Sequence, residues 1–391
     1  MIIGIDIRML ARGARTGVEE YTTNLLANML SLNTDLKFKL FYNGYQKVEL
    51  NYDWLKFPNI ELIQYKIPNK ILDTSLYFFN YPKIDKLLEG VDVFFAPHIF
   101  LSAVSGKCKT VTTFHDLSFE KYPEFYSANK NYWHFSMNPK KQARETDKII
   151  AVSESTKNDL VELYNINPEK IKVIYSGVNL SLREARMSVT NEMATKQSRD
   201  YAQETKVRKK YNLPEKYILY LGTLEPRKNI IGLIKAFELF NIKYSILNIK
   251  LVIAGSKGWL YKDIFKTVEN SPVKKDIILT GFIDDQDKSA LYSLADLFVY
   301  PSFYEGFGFP PLEAMACGTP VITSNVSSLP EAVGNAAITI NPYNLDELYR
   351  AMEMVLTDEN LKNNLIKKGH EQAKKFSWQK CARETLDFIL G

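Results

Sequence analysis

Two glutamates, Glu305 and Glu313, stand eight positions apart in PSFYEGFGFPPLEAMACGTPVI (301–322), among glycines and prolines and beside a hydrophobic run. Carboxylates so placed admit three chemistries: an acid/base pair that cuts sugars, ligands for sugar hydroxyls, or ordinary residues of a helix start. Arg227 and Lys228, in YLGTLEPRKNIIGLIKAF (220–237), stand immediately before an amphipathic helix for which Asn229 is a suitable N-cap. Cations at a helix N-terminus oppose its dipole by about 0.3–1 kcal/mol each when exposed, so the pair invites a compensating anion. A diphosphate would meet a planar fork from Arg227 and a point charge from Lys228; pairing with Glu225 or another nearby carboxylate is the simpler alternative. His115 and Asp116 end the apolar run VTTFHDL (111–117), and His115 is the best placed of four histidines for catalysis, His98 after FFAP coming second. A hydrogen-bonded core histidine is the competing reading.

The elements that must carry these residues are legible as alternation. Seven β-rich runs in the first half (IIGIDI, KFKLFYN, IELIQYK, VDVFFAP, KTVTTFH, KIIAVS, IKVIYSG) alternate with helical patterns, and YILYLGT begins a second cycle of six. Many runs are continuously apolar, as strands buried on both sheet faces must be. The expectation is α/β: two Rossmann-like, doubly wound parallel-sheet domains facing across a cleft, ligands lying at the carboxyl ends of the strands. We place the first domain at 1–177, the second at 178–375 with a polar helical excursion over 181–210, and a terminal helix over 376–391 that crosses back to the first. Four chemical clusters fall at strand ends. RGARTGVEEYTTNLL (12–26), with Gly13 and Gly17, opens a helix at Val18 or Glu19 and either holds a phosphate on free N–H groups or is a plain tight turn. In the 301–322 stretch, Pro310 and Pro311 begin a short helix ending at Gly318, which puts Glu313 in its first turn. Glu305 precedes Gly306 and Gly308, whose missing side chains let a ligand approach the backbone.

The stretch P-S-x-x-E-G-F-G-x-P-x-L-E-A-M-A-C-G-T-P-V-I, with GTLEPRKN, VIAGSKGW, LTGF and the terminal FSW, resembles family 4 glycosyltransferases, retaining enzymes of the GT-B fold whose motif is E-x7-E. The resemblance covers 217–341 most closely, and 149–179 and the first 148 residues more loosely. It implies that Arg227 and Lys228 hold the donor's diphosphate and that Glu313 holds the ribose hydroxyls. Glu305 would face the transferred sugar, and Gly306, Phe307 and Gly308 would approach sugar and phosphates by their backbone. His115 would lie near the reacting sugar, Gly17 on a flexible loop opposite, and Phe282 and Ile283 near the nucleobase. The implied reaction is hexosyl transfer with retention, the leaving diphosphate stabilised by Arg227, Lys228 and helix N-termini. A glycosidase needs both carboxylates flanking one bond, which Glu313 on a ribose would not do. GIDIRML, TGVEEYTTNLL and FHDLSFEKYPEFY are similar to bacterial polysaccharide mannosyltransferases. They imply GDP-mannose, or a UDP-sugar as the second choice, and a glycan or lipid-linked acceptor in surface-polysaccharide synthesis.

Composition bounds the rest. With 46% hydrophobic and 24% charged residues, the 391-residue chain reads as a globular cytoplasmic protein, and MIIGIDIRML as a first strand rather than a signal peptide. A net charge of +5 suits anionic ligands and is not the footprint of a nucleic-acid binder. The basic NPKKQAR (138–144) after the aromatic NYWHF is either a solvated helix face or a peripheral contact with the inner face of the plasma membrane. Three cysteines without metal spacing argue against a disulfide framework. DDQD (284–287) contains a literal D-x-D, but it opens a helix, so N-capping accounts for it; neither metal nor cofactor is expected. Two other readings stay open: a non-catalytic nucleotide-sugar-binding subunit, and a phosphorylase or hydrolase on a similar fold.

Overall fold

The computed structural model describes residues 1–12, 17–32, 35–44, 50–178 and 203–391. Gly13 and most of the 181–210 excursion lie outside these residues; its end, 203–210, is helical. The described chain divides into two compact units. One comprises Met1–Leu117, Ala128–Gly177 and Ser377–Gly391; the other comprises Ser118–Ser127 and Val178–Phe376.

The first unit is built on β1 (Ile2–Asp6), β2 (Lys37–Asn43), β3 (Ile60–Tyr65), β4 (Val93–Ala96), β5 (Lys109–Phe114), β6 (Lys148–Ala151) and β7 (Ile171–Val173). These pair in parallel in the order β3-β2-β1-β4-β5-β6-β7. Burial follows sequence. VFFA of the central β4 is buried throughout, whereas IELIQY of the edge strand β3 leaves Glu61, Leu62 and Gln64 exposed. Gly4 on β1 lets the following layer close in, since a Cβ there would stand 2.8 Å from Leu88 Cδ1. The terminal helix Trp378–Leu390 packs on helix Gly17–Met29 within this unit, with Trp378 edge-on to Tyr21 at 6.0 Å. Gly177 is required at that junction: a Cβ would lie 2.2 Å from the Trp378 backbone nitrogen.

The second unit repeats the plan with β8 (Tyr217–Leu221), β9 (Lys250–Ala254), β10 (Ile277–Gly281), β11 (Leu297–Tyr300), β12 (Val321–Ser324) and β13 (Ile338–Ile340), all parallel. Its order is β10-β9-β8-β11-β12-β13. Both sheets therefore reverse direction beside their first strand, between β1 and β4 and between β8 and β11. A doubly wound sheet opens a crevice at the carboxyl ends of such a strand pair. All thirteen expected runs form strands. The ten residues 118–127, expected inside the first domain, belong instead to the second unit.

Candidate functional site

The loops leaving β8 and β11 hold the charged cluster. After β8 the chain makes a short 3-10 turn over Pro226–Lys228, and after β11 it runs through Ser302–Gly308 into helix Phe309–Ala316. The loops are joined by their backbones, Phe303 N donating to Arg227 O at 2.9 Å. Arg227 donates through Nη2 to Glu225 Oε1 at 2.8 Å and through Nη1 to Glu305 Oε2 at 3.2 Å and to the Tyr304 carbonyl at 2.6 Å. Lys228 Nζ donates to Glu305 Oε1 at 2.6 Å and to the Tyr300 hydroxyl at 2.9 Å. Two cations and two carboxylates thus form a neutral quartet, with residue exposures of only 2 to 9%.

Burial of any one of these charges without its partners would cost several kcal/mol. The pairing shows in the titrations. Burial pushes the Glu305 carboxyl up, but the Lys228 and Arg227 charges and the Lys228 hydrogen bond overcome it and bring its pKa down to about 2. Burial and the Arg227 charge lower the Lys228 ammonium, with Glu305 and Glu225 opposing them. Of the two alternatives for the cations, the structure shows the pairing with carboxylates. Glu225 takes one side of Arg227, and Glu305 is the counter-ion shared by both.

Glu305 is fixed at its backbone as well. Its N–H donates to Ser327 Oγ at 2.9 Å, and its carbonyl accepts from Ser328 Oγ at 2.9 Å. Gly308 follows at φ +107, in the left-handed region that suits glycine. Phe307 is buried between Phe309 and Phe376. Gly306, Phe307 and Gly308 therefore form a backbone-lined turn rather than a row of side chains.

Four expectations need correction. Helix 309–316 starts at Phe309, one residue before Pro310, so Glu313 lies in the second turn. Its carboxylate accepts from the Tyr292 hydroxyl at 2.8 Å instead of serving the helix start. Asn229 occupies the N-cap position at φ +54, but its side chain does not cap; Nδ2 donates to Pro342 O at 2.8 Å. Phe282 is 62% exposed while Ile283 is buried at 2%, so the two do not present their side chains together. In DDQD neither Asp284 nor Asp287 makes a capping hydrogen bond. Asp287 accepts from Lys210 Nζ at 2.6 Å, the Tyr211 hydroxyl at 3.0 Å and Gln203 Nε2 at 3.0 Å, while Asp284 also pairs with Lys210. Among the described residues no group of three His, Cys, Asp or Glu is placed to hold a metal ion.

The remaining candidates lie in the first unit. Gly17 opens helix Gly17–Met29, one residue before the expected start. His115 follows β5, with Nε2 2.8 Å from Pro97 O. Since a carbonyl only accepts, Nε2 carries the proton and Nδ1 is an acceptor in the neutral ring. Burial lowers the His115 pKa against the opposing influence of the Pro97 carbonyl and Asp116, so the imidazole is neutral at physiological pH. Tyr21 packs edge-on against it at 4.7 Å, and His98 is 5.5 Å away. Sequence reading missed a buried pair at the end of β1: Arg8 grips Asp6 through Nε at 3.0 Å and Nη2 at 2.6 Å, and also reaches Leu101 O at 2.8 Å. The signal is an acid and a base two positions apart where a central strand ends and a 3-10 helix begins at Arg8.

Known proteins share this arrangement of sequence. The glycosyl transferases group 1 model matches residues 203–372, and the glycosyltransferase family 4 model matches 15–182. The O-antigen chain mannosyltransferase B of Escherichia coli is 35% identical over 286 residues, covering 71% of this chain and 69% of its own. The chain belongs to glycosyltransferase family 4. A second relative of this glycosyltransferase, the serotype-specific mannosyltransferase WbdA of Escherichia coli, is 34% identical over 282 residues. That likeness covers 71% of the glycosyltransferase described here but 33% of WbdA. Among solved structures, HepE of Anabaena in complex with UDP and glucose has a TM-score of 0.70 at 16% identity, covering 100% of this chain and 99% of that one. At that identity it speaks for the fold alone.

Proposed function

We propose that this glycosyltransferase moves mannose from GDP-mannose, with retention at the anomeric carbon, onto a glycan or lipid-linked glycan of a surface polysaccharide. The observation that carries the reading is the buried quartet at the β8/β11 switch point. Arg227 and Lys228 there are already neutralised by a carboxylate, Glu305, on a glycine-rich turn. A donor's diphosphate takes over the two cations, and Glu305 is freed to meet the sugar hydroxyls. Glu313, oriented by Tyr292, receives the ribose; Phe282 lies beside the base; Gly306, Phe307 and Gly308 let the backbone approach. Gly17 and the neutral His115 are the further residues we assign to the sugar.

In the reaction the bond from C1 to the diphosphate oxygen breaks as C1 bonds to the acceptor oxygen. The acceptor's proton passes to the departing diphosphate. Arg227 and Lys228 stabilise the charge that grows there, in a site where water screens little. This chemistry asks for no metal. The mannosyltransferase relatives support mannose as the transferred sugar, and a UDP-sugar stays the second reading.

A thermal-shift screen decides between them, because a ligand bound only by the folded chain stabilises it by about 2.7 kcal/mol at a hundredfold excess over Kd. GDP-mannose is expected to raise Tm by several degrees, with UDP-glucose and ADP-glucose leaving it unchanged. A shift with UDP-glucose alone selects the second reading, and no shift with any of the three removes the nucleotide-sugar assignment.

No helix among the described residues is long and apolar enough to cross a membrane. We place the protein in the cytoplasm, peripheral on the inner face of the plasma membrane, as a lipid-linked acceptor requires. The support comes from helix Asn69–Phe79, anchored underneath by Leu72 and Leu76 beside Ala103. It leaves Phe78 72% and Phe79 75% exposed, with Tyr81 following and the exposed Lys70 at its start. Exposed aromatic faces of this kind sit at the lipid headgroup boundary, although Lys70 is offset by Asp73 on the same helix. The expected 131–144 segment is a second candidate: Tyr132 is 73% and Phe135 76% exposed, with the exposed Lys140 and Lys141 following, while Trp133 and His134 are half-buried. Wild-type protein should float with phosphatidylglycerol vesicles, and Phe78→Ser/Phe79→Ser should cut the bound fraction at least about fivefold. Equal flotation of the two proteins would exclude this helix.

A further inference from the structure

The ten residues 118–127 leave the first unit two positions after His115 and fold into the second unit as helix Ser118–Lys121 and the turn Pro123–Phe125. Tyr122 and Phe125 stack on each other at 5.5 Å, and the segment's aromatic side chains also reach outward. Phe125 stacks on Phe303 with ring centroids 5.2 Å apart and planes at 18°, and Tyr122 lies against Tyr304 at 5.8 Å. Tyr126 stacks on Trp259 at 5.4 Å, and Trp259 Nε1 donates to Phe125 O at 2.6 Å.

The positions of these partners give the segment its meaning. Phe303 and Tyr304 are the two residues before Glu305, and both hold Arg227 through their main chain, Phe303 N on Arg227 O and Tyr304 O on Nη1. Trp259 lies in the loop after β9. That loop is tied to the residue before Glu225 by Leu224 N on Ser256 O at 2.9 Å and Gly258 N on Leu224 O at 3.0 Å. The segment therefore grips the quartet's supports from two loops at once. Stacked aromatic pairs and a half-buried indole hydrogen bond are directional restraints.

We infer that Tyr122, Phe125 and Tyr126, with Trp259, are positioning residues for the donor site, setting where Arg227 and Glu305 stand. The inference rests on the reading that these two hold the donor. Misplacing a catalytic group by about 1 Å is enough to cost on the order of a hundredfold in rate. Loosening the segment should therefore lower kcat far more than it changes KM for the donor.

The test is GDP release from GDP-mannose with an alkyl α-mannoside as acceptor, measured for wild type, Phe125→Ala, Phe125→Tyr, Trp259→Phe and Arg227→Lys. Phe125→Ala and Trp259→Phe, which keeps a ring but loses the hydrogen bond, should lower kcat about tenfold or more and change KM less than about threefold. Phe125→Tyr, which keeps the stack, should restore kcat. Values of kcat within about twofold of wild type for both Phe125→Ala and Trp259→Phe overturn the inference, as does a loss that Phe125→Tyr does not restore. If Phe125→Ala fails to fold, Trp259→Phe decides the matter by the same thresholds. An Arg227→Lys that matches wild type shows that the donor-site reading itself has failed. If wild type releases no GDP, the same series is run for UDP release from UDP-glucose with the same thresholds, and a wild type that releases neither also removes that reading. An impaired Arg227→Lys beside normal segment variants sinks this inference alone.

Discussion

Glu305→Gln is expected to transfer sugar at least about a hundredfold more slowly than wild type while binding GDP about tenfold more tightly. The two effects have opposite signs because Glu305 has two roles. Its carboxylate neutralises Arg227 and Lys228 at 3.2 and 2.6 Å, so it competes with any diphosphate for them. Glutamine keeps the shape and one acceptor oxygen but removes the competing charge, so GDP gains. The sugar then meets an amide where a carboxylate should strengthen its hydrogen bonds in the transition state, so turnover falls. Alanine is the wrong probe. It would leave both buried cations without Glu305, at about 3–5 kcal/mol of stability, and confuse folding with catalysis. The sign with pH follows. The folded carboxyl titrates at about 2, below its unfolded value of about 4.3. Its stabilisation is therefore complete above that unfolded value and is lost as pH falls through the folded one. Denaturation midpoints of Glu305→Gln should lack this acid-side slope.

The second large effect belongs to Arg227. Arg227→Ala leaves the Glu225 carboxylate buried without its counter-ion and strips the Tyr304 carbonyl of its donor. A loss of about 3–5 kcal/mol is expected in urea denaturation, together with loss of GDP binding. Arg227→Lys separates the two effects. It keeps a charge against Glu225 but cannot span Glu225, Tyr304 and Glu305 with one planar fork, so GDP should weaken about tenfold with a smaller loss of stability. An Arg227→Ala protein as stable as wild type would mean that the quartet is not the electrostatic unit described.

What could be read from the chain alone was whatever depends on neighbours in sequence. VFFA, YILYL and LFVY are central strands because no polar residue interrupts them, and Gly306 and Gly308 mark a turn because glycine alone tolerates such backbone freely. What depended on distant partners could not be read. Nothing local shows that β8 pairs with β11, yet this pairing brings Arg227 to Glu305, across 78 positions of sequence. Asp284 and Asp287 look like caps until Lys210 arrives from before β8. Asn229 has the right residue type at the right place, but Pro342 offers its side chain a better partner. Glu313 moved out of the first turn because Phe309, not Pro310, begins the helix. The aromatic run FEKYPEFY was visible, whereas its destination on Phe303, Tyr304 and Trp259 depends wholly on the fold.

Everything proposed for the donor site depends on a nucleoside diphosphate taking over the cations that Glu305 neutralises. Calorimetric titration of GDP into the wild type and Glu305→Gln probes that exchange without any acceptor. Binding should be tighter in the variant, by about tenfold, as expected when a site for an anion gains one net positive charge. Equal or weaker binding by Glu305→Gln would place the diphosphate elsewhere and contradict the exchange.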